Sequence, residues 1–289
     1  MKVAINLLIL GAEIRPDDRP RLERLKAFGF DAVEVPMFAG TPADYAELGR
    51  MLSDIGLAAG VAAIATPEAN PISTDPAVRA AARERQHWLV DCTAALGGEV
   101  IAGPVHSPVG LFTGEAATEA ERAWCVEAMQ ALADEAAGAG IRIAIEAVNR
   151  FECYLMSTIA EAAAICEAVG RDNFGILYDT FHANIEEKDP VATYERFHRQ
   201  VNHYHVSEND RGIPGTGHVP FAAHFDAVRR SGYDGWMAIE AFSRAVPEIA
   251  GATRIWRDLF DSTDELYRRG AAFIREEWRA AGERVMAGR

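Results

Sequence analysis

An eightfold alternation of strand-like and helix-like segments predicts a single-domain (β/α)8 TIM barrel across residues 1–289. Two further observations support that fold class. No linker rich in Pro, Gly, Ser or charge divides the chain, and 289 residues suit one large barrel. No G-x-G-x-x-G or G-x-x-x-x-G-K-[ST] phosphate loop follows any apolar run, which weighs against the rival doubly wound open sheet.

Parallel strands buried on both faces read as short continuous apolar runs. Eight such runs occur, over Val3–Ile9, Asp31–Val35, Leu57–Ile64, Glu99–Gly103, Ile141–Ala147, Phe174–Asp179, Val201–Val206 and Trp236–Ala241. Each leads into a segment of helical periodicity. The third helix opens with Asp75 as N-cap and Pro76 at its first position. It carries Val78, Ala82, Leu89, Cys92 and Leu96 at roughly helical spacing, and stops at Gly97-Gly98. The last begins at Ser262-Thr263-Asp264-Glu265, a capping-box pattern, and aligns Leu266, Gly270, Phe273 or Ile274, and Trp278. Gly29, Gly56, Gly140, Gly170 and Gly232 each stand just before a strand, where a left-handed residue would end the preceding helix.

Composition narrows the function classes. With 29 Lys and Arg against 43 Asp and Glu, the net charge of −14 opposes the phosphate neutralisation behind most nucleic-acid affinity, so no nucleic-acid partner is expected. Cys92, Cys125, Cys153 and Cys166 form no C-x-x-C pair. The opening apolar run is far below the roughly 20 residues that span a bilayer, and no cleavage site follows it. Reduced thiols, a cytoplasmic location and no membrane partner are the expectation.

In a barrel the reactive end lies at the C-terminal ends of the strands, so a charged residue closing an apolar run is informative. Four consecutive runs end this way, at Glu146, Asp179, His205 and Glu240, roughly one strand-helix unit apart. These residues would converge on one small volume. Three carboxylates crowded there would repel one another unless a cation resolved the conflict. The mostly oxygen set with one imidazole suits Mn²⁺ or Mg²⁺, and also Co²⁺. His203 shares a strand face with His205 and is read as a packed histidine or one behind the ligand. Glu34, ending the second run, is open to either reading, site member or structural carboxylate.

The segments Glu146-Ala147-Val148-Asn149-Arg150-Phe151-Glu152, Asp179-Thr180-Phe181-His182 and His203-Tyr204-His205-Val206-Ser207-Glu208-Asn209-Asp210-Arg211, followed by Gly232-Tyr233-Asp234-Gly235 and Glu240-Ala241-Phe242, resemble the sugar isomerase/epimerase superfamily. Within it they are most similar to the ketose 3-epimerases, the D-tagatose, D-allulose and L-ribulose 3-epimerase group. The detailed resemblance covers the C-terminal half. It implies one divalent ion, usually Mn²⁺, on residues matching Glu146, Asp179, His205 and Glu240. It also implies proton exchange at carbon 3 between Glu146 and Glu240 on opposite faces of the sugar, and sugar contacts from Glu152, His182 and Arg211. Phe242 resembles an apolar wall residue, with core packing as the alternative. A homodimer or homotetramer is the implied assembly.

The implied chemistry is physically coherent. The proton beside a ketone is too weakly acidic for an unaided carboxylate, so the enediolate needs a Lewis acid. Inversion at carbon 3 requires one acid-base group on each face. Arg211 and His182 offer donors suited to a hydroxylated substrate and its developing charge. The chain departs from the family in the loops after the first and fourth strands, which read Leu8-Ile9-Leu10-Gly11 and Gly103-Pro104-Val105-His106-Ser107-Pro108 in place of aromatic residues. His106 is placed to contact ligand, or is a loop histidine without that role.

The expected activity is therefore metal-dependent epimerisation at carbon 3 of an unphosphorylated ketose, through a metal-stabilised enediolate. The alternatives are cleavage of a 3-oxo-glycoside, as by a C-deglycosidase catalytic subunit, and keto-inositol or aldose-ketose isomerisation on the same site. A metal-dependent phosphodiesterase resembling apurinic endonucleases would need more histidine ligands and a basic face, against eight histidines in all and a charge of −14.

Overall fold

The computed structural model describes residues 1–288. Eight parallel strands close into a barrel in sequence order: β1 (Lys2–Asn6), β2 (Ala32–Pro36), β3 (Ala58–Ala62), β4 (Gly98–Gly103), β5 (Arg142–Glu146), β6 (Phe174–Asp179), β7 (Val201–Val206) and β8 (Trp236–Ile239). Helices α1 (Arg19–Ala27), α2 (Pro42–Ile55), α3 (Pro76–Leu96), α4 (Glu119–Gly138) and α5 (Ile159–Val169) follow the first five strands. After β6 come α6 (Thr180–Glu186) and α7 (Pro190–Phe197), after β7 α8 (Phe221–Ser231), and after β8 α9 (Pro247–Thr253) and α10 (Thr263–Ala287).

Helix limits follow local chemistry. Thr41, Thr118 and Thr158 cap α2, α4 and α5 through reciprocal boxes with Asp44, Glu121 and Glu161, and Asp75 caps α3 ahead of Pro76. Gly56, Gly97, Gly170 and Gly232 end their helices with a left-handed backbone, which a Cβ would penalise.

Four strands are shorter than their apolar runs, β5 by one residue at each end (Arg142–Glu146 within Ile141–Ala147). The first run was expected to extend to Ile9, yet β1 stops at Asn6, whose side chain accepts the Leu8 N–H at 3.0 Å and starts a 3₁₀ turn over Leu7–Ile9. β3 and β8 likewise stop at Ala62 and Ile239 rather than Ile64 and Ala241. Apolar residues past the ladder, such as Leu7, Ala63 and Ala241, stay buried without strand pairing, so hydrophobicity alone overstates strand length.

The two-residue period of each strand sorts its side chains. Outward residues such as Ile5, Val33, Val35, Ile143, Ile145, Tyr178, Tyr204 and Met237 join one large core with the helices. Inward residues form small separate layers: Ala4, Ala32, Trp236 and Ala238 in one, Val100, Ala102, Ala144 and Leu177 in another. Trp236 fills the lower barrel because β3 offers only Gly60 there; a Cβ at residue 60 would lie 3.0 Å from the indole and 2.9 Å from Val100. The same parity carries the next inward layer, Asn6, Glu34, Glu146, Asp179, His205 and Glu240, toward the C-terminal mouth. Among the described residues, no helix is long and apolar enough to cross a membrane.

Candidate metal centre

Glu146 and Asp179 are the last residues of β5 and β6, His205 is next to last in β7, and Glu240 lies one residue past β8. All four are buried, and one ligand atom from each falls within 4.8 Å of the other three. Parallel register sets Asp179 directly opposite His205, with Oδ2 3.3 Å from Nδ1, and Glu240 Oε1 lies 3.7 Å from the same nitrogen. In the closed ring β5 and β8 are three strands apart, so Glu146 and Glu240 enter from facing walls.

Asp179 has a second task. Its Oδ1 accepts the Phe181 N–H at 2.6 Å and the His182 N–H at 3.4 Å, capping α6. That cap turns His182 back over the strand ends. His182 Nδ1 accepts the Asn149 backbone N–H at 3.0 Å, which leaves Nε2 as the proton-bearing nitrogen. Nε2 stands 3.3 Å from Glu146 Oε1 and 3.0 Å from Arg211 Nη2. Asn149 Nδ2 also donates to Glu152 at 2.8 Å, tying the half-buried Glu152 to the His182 side of the site.

Arg211 arrives on the loop between β7 and α8. Its guanidinium donates to Glu240 and lies between two rings, 4.0 Å from the Phe181 centroid and 5.0 Å from that of Phe242. The Arg211 backbone is left-handed, with φ of 64°. Glu208 supports this turn from a fully buried position. Its carboxylate accepts the backbone N–H groups of Asn209, Gly215 and Val219 at 2.8–3.1 Å, and its carbonyl accepts that of Arg211. Phe242 closes the other side and packs with Ile249, Ala250 and Ile255, against which Leu8 and Ala12 of the first loop also rest.

The Arg211 guanidinium offsets part of the negative charge in the cluster, and burial and neighbouring charges shift the remaining groups. Burial pushes the Glu240 carboxyl up to about 7, and Asp179 and Glu146 add to the rise against Arg211 and His205. Burial disfavours a charged His205, yet Glu34 and Glu240 raise its pKa well above the ordinary histidine range. Asp179 goes the other way: His205, His182 and Arg211 overcome its burial and hold it low. Glu146 Oε1 is buried and, apart from the 3.3 Å approach of His182 Nε2, which is not aligned as a hydrogen bond, has no polar partner. Three buried carboxylates, one of them with an under-satisfied oxygen, and one imidazole fit a hard divalent cation.

Other residues singled out in the sequence lie at varying distances from this centre. His203 is wholly buried, and its Nε2 meets the Glu34 carboxylate, which also reaches His205 Nε2 at 3.1 Å. Glu34 is thus part of the site's inner support. His106 is fully buried in the loop after β4, with Nε2 3.9 Å from Cys153 Sγ, and burial lowers its pKa to about 4. Asn6, Asn149, Phe181 and Glu208 were not anticipated as site residues. Asn6 donates to Glu240 at 3.1 Å. Its polarity inside an apolar run was the available signal, hidden because Leu7-Leu8-Ile9-Leu10 continues the run.

The fold and the motifs have close counterparts. Residues 22–277 match the family described as xylose isomerase-like TIM barrel. A ketose 3-epimerase of Arthrobacter globiformis is 35% identical over 262 residues, 90% of each chain. An L-ribulose 3-epimerase of a Methylomonas species is 33% identical, covering 86% of this chain and 88% of that one. The crystal structure of a Methylomonas D-allulose 3-epimerase in complex with D-allulose superposes with a TM-score of 0.88 at 30% identity, over 96% of this chain and 97% of that one.

Proposed function

This chain belongs to the xylose isomerase-like TIM barrel family, and from that premise we propose that it is a divalent-metal-dependent epimerase acting at carbon 3 of an unphosphorylated ketose. The observation that carries the reading is the pair Glu146 and Glu240, two buried carboxylates entering from facing walls into one cluster with Asp179 and His205 that could hold a cation. Similarity to ketose and L-ribulose 3-epimerases, and to an enzyme whose structure holds D-allulose, supports the sugar class.

Epimerisation removes the carbon 3 proton from one face and returns one to the other, which calls for two acid-base groups on opposite sides. Glu146 and Glu240 fill those roles. Glu240 also meets Arg211 and Asn6, which fix the orientation of its carboxylate toward the shared volume. Glu146, Asp179, His205 and Glu240 would hold the cation, Mn²⁺ or another hard divalent ion, which supplies Lewis-acid stabilisation of negative charge on the sugar oxygens. The His182 Nε2–H and the Arg211 guanidinium converge as donors at the same place, suited to carbonyl and hydroxyl oxygens next to carbon 3. Glu152 extends this polar wall through Asn149, and Phe242 forms the apolar one.

The test is NMR of Mn²⁺-loaded protein with D-tagatose, D-allulose, D-fructose and L-ribulose in D₂O. Deuterium entering carbon 3 together with the epimeric sugar is the expected result. No exchange with any of the four would overturn the assignment.

A further inference from the structure

Behind the cation site lies a carboxylate that no proton-transfer role requires. Glu34 extends from β2 into the barrel and meets two histidines of β7, three strands away around the ring, with all three side chains buried. His205 Nε2 lies 3.2 and 3.1 Å from the two Glu34 oxygens, and His203 Nε2 contacts Oε1. On the other edge of the same ring, His205 Nδ1 faces Asp179 at 3.3 Å and Glu240 at 3.7 Å.

We propose that Glu34 is a positioning residue that accepts the Nε2–H of His205 and so presents Nδ1, unprotonated, as the nitrogen ligand of the cation. The inference rests on the metal reading above and not on which sugar is turned over. An ionised carboxylate is acceptor-only, so two ring N–H donors and two oxygens match without conflict. A metal-bound imidazole oriented by a carboxylate on its far nitrogen is a general way to set ring tautomer and raise ligand basicity. His203 holds the carboxylate from below, and its own Nδ1 is buried without a partner. That orphan decides what a glutamine at position 34 would do. The amide offers one acceptor and one donor group, so one of the two rings would have to present a bare Nε2 and carry its proton on Nδ1 instead. In His203 that proton would be buried and unpaired; in His205 it would occupy the ligand atom itself.

The experiment pairs Glu34→Gln with a measurement that needs no variant. Calorimetric titration with Mn²⁺ is expected to show affinity reduced about 10–100-fold in Glu34→Gln, with the far-UV spectrum and melting of the metal-free protein retained. NMR of ¹⁵N-histidine-labelled wild type loaded with Mg²⁺ is expected to show His205 protonated at Nε2. Affinity within about twofold of wild type in a folded Glu34→Gln protein, or a His205 proton on Nδ1, would overturn the assignment. If Glu34→Gln does not fold, the wild-type tautomer decides. Wild type that binds neither Mn²⁺ nor Mg²⁺ would remove the metal reading beneath it, a different failure from altered tautomer in a protein that binds.

Discussion

Asp179 and His205 are register partners across the β6–β7 ladder, and their side chains meet at 3.3 Å between Oδ2 and Nδ1. The other Asp179 oxygen caps α6. One residue therefore contacts His205 and caps the helix that carries His182. Asp179→Asn keeps an acceptor for the cap while removing the charge. We expect it to fold and to lose Mn²⁺ affinity by more than the roughly 10–100-fold typical of losing an outer partner, as read by calorimetry. Unchanged affinity would place the cation elsewhere.

Glu146→Gln and Glu240→Gln should each lower carbon 3 proton exchange by about 10²–10⁴-fold or more, since each removes one of two acid-base groups. Because both are also candidate ligands, the exchange is measured with Mn²⁺ content fixed by metal analysis. Near wild-type exchange in either metal-loaded variant would refute the two-carboxylate mechanism.

Arg211→Ala should raise KM and lower kcat, together costing about 10–100-fold in kcat/KM, the scale of a lost hydrogen bond to a charged or developing anionic group. The metal should stay, because the guanidinium contacts Glu240 from outside the ligand set. Loss of bound metal from this variant would make Arg211 a structural support of the centre.

Glu208→Ala should resemble Arg211→Ala in its kinetics while also lowering stability. It would leave the N–H groups of Gly215 and Val219 without their buried acceptor, at a cost of about 1–3 kcal/mol each where no water replaces it. Kinetics equal to wild type would show that the Arg211 turn holds without Glu208.

His224 provides a pH test away from the centre. It is packed against Tyr178 and Tyr204, and burial lowers its pKa to about 4 from 6.5. The unfolded chain takes up this proton as pH falls below 6.5, and the folded chain does so only near 4. Stability is therefore lost as pH falls through that window, by about 1.4 kcal/mol per pH unit at most. His106 acts in the same direction. Denaturant unfolding of His224→Phe at pH 7.5 and 5.0 should show about 2 kcal/mol less loss than wild type, and an equal loss would mean that His224 is not held neutral.

Much of this architecture was legible in the chain itself. Apolar runs marked all eight strands, glycines and caps marked helix ends, and charged residues closing four consecutive runs marked Glu146, Asp179, His205 and Glu240. These features are local: a strand's two-residue period decides which way a side chain points, whatever the strand later packs against. What only the tertiary structure decided was the set of partners across the barrel. Glu34 meets His205 across 171 residues of chain, and Asn6 meets Glu240 across 234. No periodicity encodes such pairings, because they arise when β1 closes on β8 and opposite walls of a ring come within hydrogen-bond reach. The left-handed Arg211 turn is similar, since the buried Glu208 carboxylate and the rings of Phe181 and Phe242 act together on its loop. The sequence thus determined the barrel and the direction of its candidate ligands; ring closure decided which buried groups contact them.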